Sequence, residues 1–190
     1  MRKIILASSS KWRKEILTKT GLPFEIVESG FEEDMTLSLA PKKLVTLFAR
    51  EKARAVAKHY PDAIVIGADT VLVFEGKILG KPKTKAEATA TLKRWSGKRG
   101  VALTGLAIID VKRKREVIRT VETKIFFRDL SGSEIAAYVQ TGEPLTAAGS
   151  FTITSKGAAF VRRIEGDFYN IAGLPLADLM EELKAFGIKR

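Results

Sequence analysis

The run Ile64-Val65-Ile66-Gly67-Ala68-Asp69-Thr70-Val71-Leu72-Val73-Phe74 commits this chain to a fold with a buried central strand. β-Branched apolar residues without polar alternation make a strand that is covered on both faces. Glu75-Gly76 turns the chain, which returns through Ile78-Leu79 to Gly80-Lys81-Pro82. A lone acid between apolar segments is costly to bury unpaired, so Asp69 is expected to face a cleft, a metal or a cation. Lys81 sits on the return leg of this hairpin, where it can approach Asp69. Alone, these residues fit equally a plain hairpin carrying one ion pair.

Other charged residues occupy places where charge needs a reason. Residues 3–7 read as a strand, and Ser8-Ser9-Ser10 caps a helix from about residue 11 to Thr20, closed by Gly21. A hydroxyl-rich strand-to-helix turn directs free N–H groups and the positive helix end at one point, an anion site. Arg13 falls between Ile16 and Leu17 on the helical wheel, on the apolar side, as a functional cation or as a side chain reaching past the core. Phe24 to Val27 is a second strand, followed by the acidic loop Glu32-Glu33-Asp34. Pro41 opens a long helix over residues 41–60 with apolar face Val45, Phe48, Ala49 and Val56. Lys52 lies in the middle of that face, which requires a negative partner or a polar cavity. His59, the single histidine, is read as a capping or surface residue.

The remainder alternates. A helix spans 84–95, and strands over about 101–111 and 116–128 are joined by Lys112-Arg113-Lys114-Arg115. That basic tip reads as a solvated turn rather than a nucleic-acid contact. Ser131 with Glu134 forms a capping box for a helix to about Gln140. Glycines 149, 157, 166 and 173 punctuate loops around a strand-like run from Ala158 to Ile164, and a last helix runs from Leu174-Pro175-Leu176 to about Phe186. The pattern predicts an α/β fold with a mixed sheet.

The 190 residues can form one large domain or two small lobes. No apolar run approaches the ~20 residues of a membrane span, and the amino-terminal strand is too short for a signal peptide, so a cytoplasmic protein is expected. The absence of cysteine excludes disulfides, thiolate metal sites and a Cys nucleophile. Gln140 and Asn170 are the only side-chain amides and 29% of residues are charged, a composition suited to high temperature. A net charge of +11 attracts phosphates, whether of nucleotide, nucleic acid or anionic lipid.

Taken in order, these segments resemble the Maf family of nucleoside triphosphate pyrophosphatases, also described as septum-formation inhibitors. Leu6-Ala7-Ser8-Ser9-Ser10-Lys11-Trp12-Arg13 resembles its opening motif, Ala49-Arg50-Glu51-Lys52-Ala53 its helix motif, and Ala68-Asp69-Thr70-Val71 with Leu79-Gly80-Lys81-Pro82 its hairpin. Gly142-Glu143-Pro144, Ala148-Gly149, Ile164 to Asn170 and Gly173-Leu174-Pro175-Leu176 complete the likeness over nearly the whole chain. The resemblance implies one domain over residues 1–190, with a mixed central sheet flanked by helices and two lobes around a nucleotide-binding cleft. It implies cleavage between the α and β phosphates of a nucleoside triphosphate, yielding a monophosphate and pyrophosphate. A divalent cation, Mg²⁺ or Mn²⁺, and a cytoplasmic, often dimeric protein come with it, and nucleic acid is not required.

Under that resemblance Ser8, Ser10, Arg13, Lys52 and Lys81 bind substrate phosphates. Asp69 accepts the proton of the attacking water or holds the metal, and Glu33 joins it as a metal carboxylate. Three positions, Trp12, Thr70 and Thr154, are associated with base choice. Thr70 and Asp167-Phe168-Tyr169-Asn170 resemble members acting on dTTP and UTP, which carry Arg, Thr and Gln at the three positions. Trp12 and Ala148-Gly149-Ser150-Phe151 resemble members acting on 7-methyl-GTP, which carry Trp, Gln and Glu there. Lys11 stands in place of the usual Pro, and Gly100 where His is common. The competing expectation is a non-catalytic nucleic-acid-binding or cell-division regulator that uses the +11 charge.

Overall fold

A computed structural model describes residues 2–188. Its elements run β1 (Ile4–Ala7), α1 (Lys11–Thr18), β2 (Glu25–Val27), α2 (Pro41–Ala57), β3 (Ile64–Phe74), β4 (Lys77–Leu79) and α3 (Lys85–Trp95). They continue as β5 (Arg99–Asp110), β6 (Arg115–Phe127), α4 (Gly132–Gln140), β7 (Val161–Glu165), α5 (Phe168–Ile171) and α6 (Leu176–Ala185). Among the described residues the strands form one seven-stranded sheet of order β2-β1-β3-β5-β6-β7, with β4 pairing β3. β1 pairs parallel with β2 and β3, whereas β3–β4 and β6–β7 are antiparallel, so the sheet is mixed as expected.

The chain divides into two compact units. The first comprises the residues up to Thr70, Leu103–Val121, and those from Tyr169 onward. Here the strands have two distinct apolar faces. Ile4, Leu6, Ile64, Ile66 and Ala68 pack with Ile16 and Leu17 of α1 and Leu179 and Leu183 of α6. The alternate residues Ile5, Ala7 and Val65 pack with Ala49, Ala53 and Val56 of α2. This is the period-2 alternation of a strand with a helix layer on each side, which explains the unbroken apolar run in β3. Gly67 has a reason of its own: a Cβ there would collide with the Ala49 carbonyl, so its absence lets α2 lie directly on β3.

The second unit, Val71–Ala102 and Glu122–Phe168, is built around Trp95 at the end of α3, which is fully buried. Its indole stacks on Phe127 at 4.6 Å between ring centroids and meets Phe74 at 4.7 Å and Phe151 at 5.8 Å. The indole N–H donates to the Gly149 carbonyl at 2.9 Å, so the polar end of this large side chain is satisfied inside the core. A side chain at position 100 would strike this indole, which is why glycine stands there. Thr84 and Ser131 cap α3 and α4, the latter with the expected capping box.

Local boundaries differ from the sequence pattern. α1 ends at Thr18 and α2 at Ala57, each followed by tighter turn bonds rather than further helix. The strand expected over Ala158–Ile164 begins only at Val161, because Lys156–Phe160 winds into a 3-10 turn. Gly157 lets that turn pack closely: a Cβ there would meet the Thr152 amide and the Tyr138 hydroxyl, each at 2.7 Å. The short helix α5 was not foreseen in the loop after Gly166.

Candidate active site

Alternation along β3 decides what surrounds Asp69. Val65, Gly67 and Asp69 lie on the α2 side, and the close approach of Gly67 to Ala49 and Ala53 brings Lys52, in the same turn of α2, beside Asp69. Lys52 and Asp69 are 8% and 5% exposed, and the ammonium donates to Asp69 Oδ1 at 2.6 Å. The same Nζ donates to Glu33 Oε1, from the loop between β2 and α2. The charge at the centre of an apolar helix face is thus answered by two carboxylates.

The electrostatics of the trio are uneven. Burial pushes the Asp69 carboxyl above its ordinary value, and Lys52 pulls back against it, while Glu33 adds to the upward push. Glu33 is less enclosed; partial burial works against its charge, but the Lys52 bond and the nearby Arg13 outweigh this and hold it low. Arg13 is pushed down by burial, with Asp69 and Glu33 offsetting part of the effect. Two acids of different strength around one ammonium can accept and hold a proton.

Arg13 is anchored from the other face of the sheet. Its Nε donates to the Gly173 carbonyl at 2.9 Å and its Nη1 to Ser8 Oγ at 3.3 Å. Ser8 Oγ also accepts from the Ser10 amide at 3.1 Å, and Ser10 caps α1 by accepting from the Arg13 amide at 3.4 Å. Ser8, Ser10 and Arg13 therefore assemble at the amino end of α1, where helix polarity favours an anion. Trp12, beside them, is 40% exposed.

Thr70 occupies the opposite face of β3 from Asp69. Its hydroxyl shares a 2.8 Å hydrogen bond with that of Thr104 on β5 and lies 3.4 Å from the Gly173 carbonyl. Thr104, fully buried, also donates to the Asn170 carbonyl at 3.2 Å. Sequence reading did not single out Thr104. Its one signal was a hydroxyl within the apolar run Leu103–Ile109, and that hydroxyl ties the Asp167–Gly173 segment to the sheet.

Lys81 and Thr154 belong to the second unit and are both exposed. The Gly80 carbonyl just before Lys81 accepts from the Gly149 amide at 3.1 Å, so the Ala148–Ser150 turn braces the approach to that lysine. Thr154 stands on a turn held by Glu143. That carboxylate accepts from the Tyr138 hydroxyl and the Ser155 hydroxyl, each at 2.8 Å, and from the Gly157 amide at 3.2 Å. Burial opposes the Glu143 charge, yet these donors together hold its carboxyl below the ordinary value. Burial and the adjacent Glu143 push the Tyr138 phenol up. The Gly142-Glu143-Pro144 motif was legible in sequence; this bracing role was not.

The family profile for Maf-like proteins matches residues 3–186. This chain belongs to that family. Curated Maf-like relatives share about half its residues over nearly the full length. The dTTP/UTP pyrophosphatase of Geobacillus sp. (strain WCH70) is 46% identical over 98% of this chain and 100% of its own. That of Methanosarcina barkeri is 45% identical over 99% and 96%, and that of Bacillus anthracis 47% over 99% and 97%. Among solved structures, a HAM1 protein from Coxiella burnetii superposes with a TM-score of 0.52 at 14% identity, over 97% of this chain and 100% of that one. The latter likeness concerns the Maf-like fold alone.

Proposed function

We propose that this chain hydrolyses the α–β phosphoanhydride of nucleoside triphosphates, dTTP and UTP foremost, releasing a monophosphate and pyrophosphate. The observation that carries the reading is the Lys52–Asp69–Glu33 cluster, with Arg13 close enough to influence both acids. Relatives at 45–47% identity named dTTP/UTP pyrophosphatase support the choice of substrate. We read residues 1–190 as a single catalytic domain.

In this reading Arg13 and Lys52 neutralise substrate phosphates, Ser8 and Ser10 place donors at the amino end of α1, and Lys81 adds a further cation. Asp69, raised by burial, takes the proton of the attacking water. Lys52 keeps Asp69 ionised between turnovers by offsetting its desolvation. Trp12 offers an exposed ring for the base, while Thr70 and Thr154 supply hydroxyls.

Asp69 and Glu33 also suit a hard divalent cation such as Mg²⁺ or Mn²⁺. They are oxygen donors already converging on one positive group, and among the described residues no group of three or more acids or histidines is placed to hold a metal ion. A cation held by one or two carboxylates together with substrate phosphates is the usual arrangement for Mg²⁺. When bound, it supplies charge neutralisation and a more acidic water.

A pyrophosphate-release screen over dTTP, UTP, 7-methyl-GTP and the common triphosphates, with Mg²⁺ and Mn²⁺, tests the reading. Turnover of dTTP and UTP that is abolished by Asp69→Asn supports it. Absence of release from every triphosphate, or full activity of Asp69→Asn, overturns it. Preference for 7-methyl-GTP would assign base choice to Trp12 over Thr70.

A further inference from the structure

The second unit carries an open cavity of about 710 Å³ lined by Gly97, Lys98, Arg99, Phe126, Phe127 and the pair Arg162 and Arg163. Four of these side chains are cationic and none is acidic. Nearby carboxylates are already engaged or shared. Glu75 serves both Arg94 and Lys98, Glu165 serves both Lys124 and Arg163, and Asp129 lies against Gly97 at the margin. Arg99 and Arg162 are exposed and, among the described residues, pair with no carboxylate.

The backbone arranges this concentration. In the β6–β7 pairing Phe126 faces Arg163 and Phe127 faces Val161, so Arg162 is the extra residue of a β-bulge. A bulge re-aims the side chain it carries, and here it sets two successive arginines along one cavity instead of on opposite faces. Charge on an edge strand ordinarily only discourages strand pairing. A regular strand would achieve that without converging the two guanidinium groups. The Arg163 guanidinium lies 3.9 Å from the Phe126 ring centroid, forming a flat cation–aromatic platform beside the unpaired arginines.

A second basic stretch, at Lys112–Arg115, is largely tied into the first unit. Lys112 pairs with Asp62 at 2.9 Å, Arg113 donates to the Phe186 carbonyl at 3.4 Å, and Arg115 lies over the Phe186 ring at 4.2 Å. Three of its four cations thus have partners within the first unit, whereas Arg99 and Arg162 pair with no carboxylate among the described residues.

We propose that this cavity binds single-stranded nucleic acid, with Arg99 and Arg162 on successive phosphates and a base against the Phe126–Arg163 platform. Unpaired cations beside an aromatic surface are the recurring means of holding a flexible strand without sequence preference. The inference is independent of the reaction proposed above.

Fluorescence anisotropy with a labelled oligothymidylate of about twelve nucleotides, titrated over a range of salt, tests it. Arg99→Glu/Arg162→Glu is expected to weaken binding at least tenfold and to flatten the logarithmic salt dependence by about 1.4. Pyrophosphate release from dTTP should stay unchanged, since neither residue belongs to the proposed catalytic set. Lys19→Glu/Lys58→Glu, which changes net charge equally at exposed sites in the first unit, should have little effect. Phe126→Ala should weaken the single strand severalfold while retaining cooperative melting. Equal losses from both charge-reversed pairs would overturn the site in favour of diffuse attraction. Duplex DNA of the same length binding as tightly, or displacement of the strand by equimolar UMP, would overturn the single-strand assignment.

Discussion

Lys52 Nζ and Asp69 Oδ1 lie 2.6 Å apart with both side chains buried, and the two members of this pair are not equally replaceable. Lys52→Met leaves Asp69 in a low-dielectric site beside Glu33, with no ammonium to offset either. Loss of one partner of a buried pair typically costs about 3–5 kcal/mol. Asp69 already titrates high, and without Lys52 it rises further. A raised carboxyl favours folding only while protonated, so the destabilisation must grow as pH rises from the ordinary carboxylate value through the raised one. Thermal melts of Lys52→Met should fall further below wild type at pH 8 than at pH 4; a constant gap would contradict this.

Asp69→Asn behaves differently, because Lys52 keeps Glu33 as a partner. Its melting temperature is expected to equal or exceed that of wild type, while kcat for pyrophosphate release falls by about three orders of magnitude or more. Melting and single-turnover kinetics on one preparation check both parts.

Thr104→Val removes a buried hydroxyl bonded to Thr70 and to the Asn170 carbonyl, with little change in volume. The expected stability loss is about 1–3 kcal/mol by urea denaturation. Because Thr70 and the Gly173 segment lose their shared tether, KM for dTTP should rise more than kcat falls. A variant that loses stability but leaves KM untouched would confine Thr104 to a packing role.

Glu143 gathers donors from Tyr138, Ser155 and Gly157, and its carboxyl is held low. Between its depressed folded value and the ordinary value, the unfolded chain binds more protons. The stabilisation is thus complete above the ordinary carboxylate range and is lost as pH falls through the folded value. Glu143→Gln should therefore narrow the stability difference between pH 7 and pH 3 relative to wild type, measured by denaturant midpoints.

Ser150 adopts a left-handed φ of 64° and buries its hydroxyl without a hydrogen-bond partner among the described residues, directly after Gly149 at φ 66°. Both features cost free energy that glycine avoids. Ser150→Gly is expected to stabilise the protein by about 1 kcal/mol, seen as a rise in Tm. A lower Tm would show that the hydroxyl has a use in solution.

Local order was legible in the chain. The apolar run at 64–74, the Ser131–Glu134 capping box and the charge on the inner face of α2 each follow from short-range pattern, because strand and helix periods are properties of neighbouring residues. The same logic announced that Lys52 needed an acid. It could not say which acids would answer, and the hydrogen bonds of Lys52 run to Asp69 and Glu33. Thr104 tethering Thr70, Glu143 bracing the turn that carries Thr154, and the bulge that aligns Arg162 with Arg163 were decided only by packing between distant segments. Such contacts depend on how closely layers approach and which residue of a pairing is left over. Those quantities are set by volume and register across the whole fold, and no window of sequence contains them.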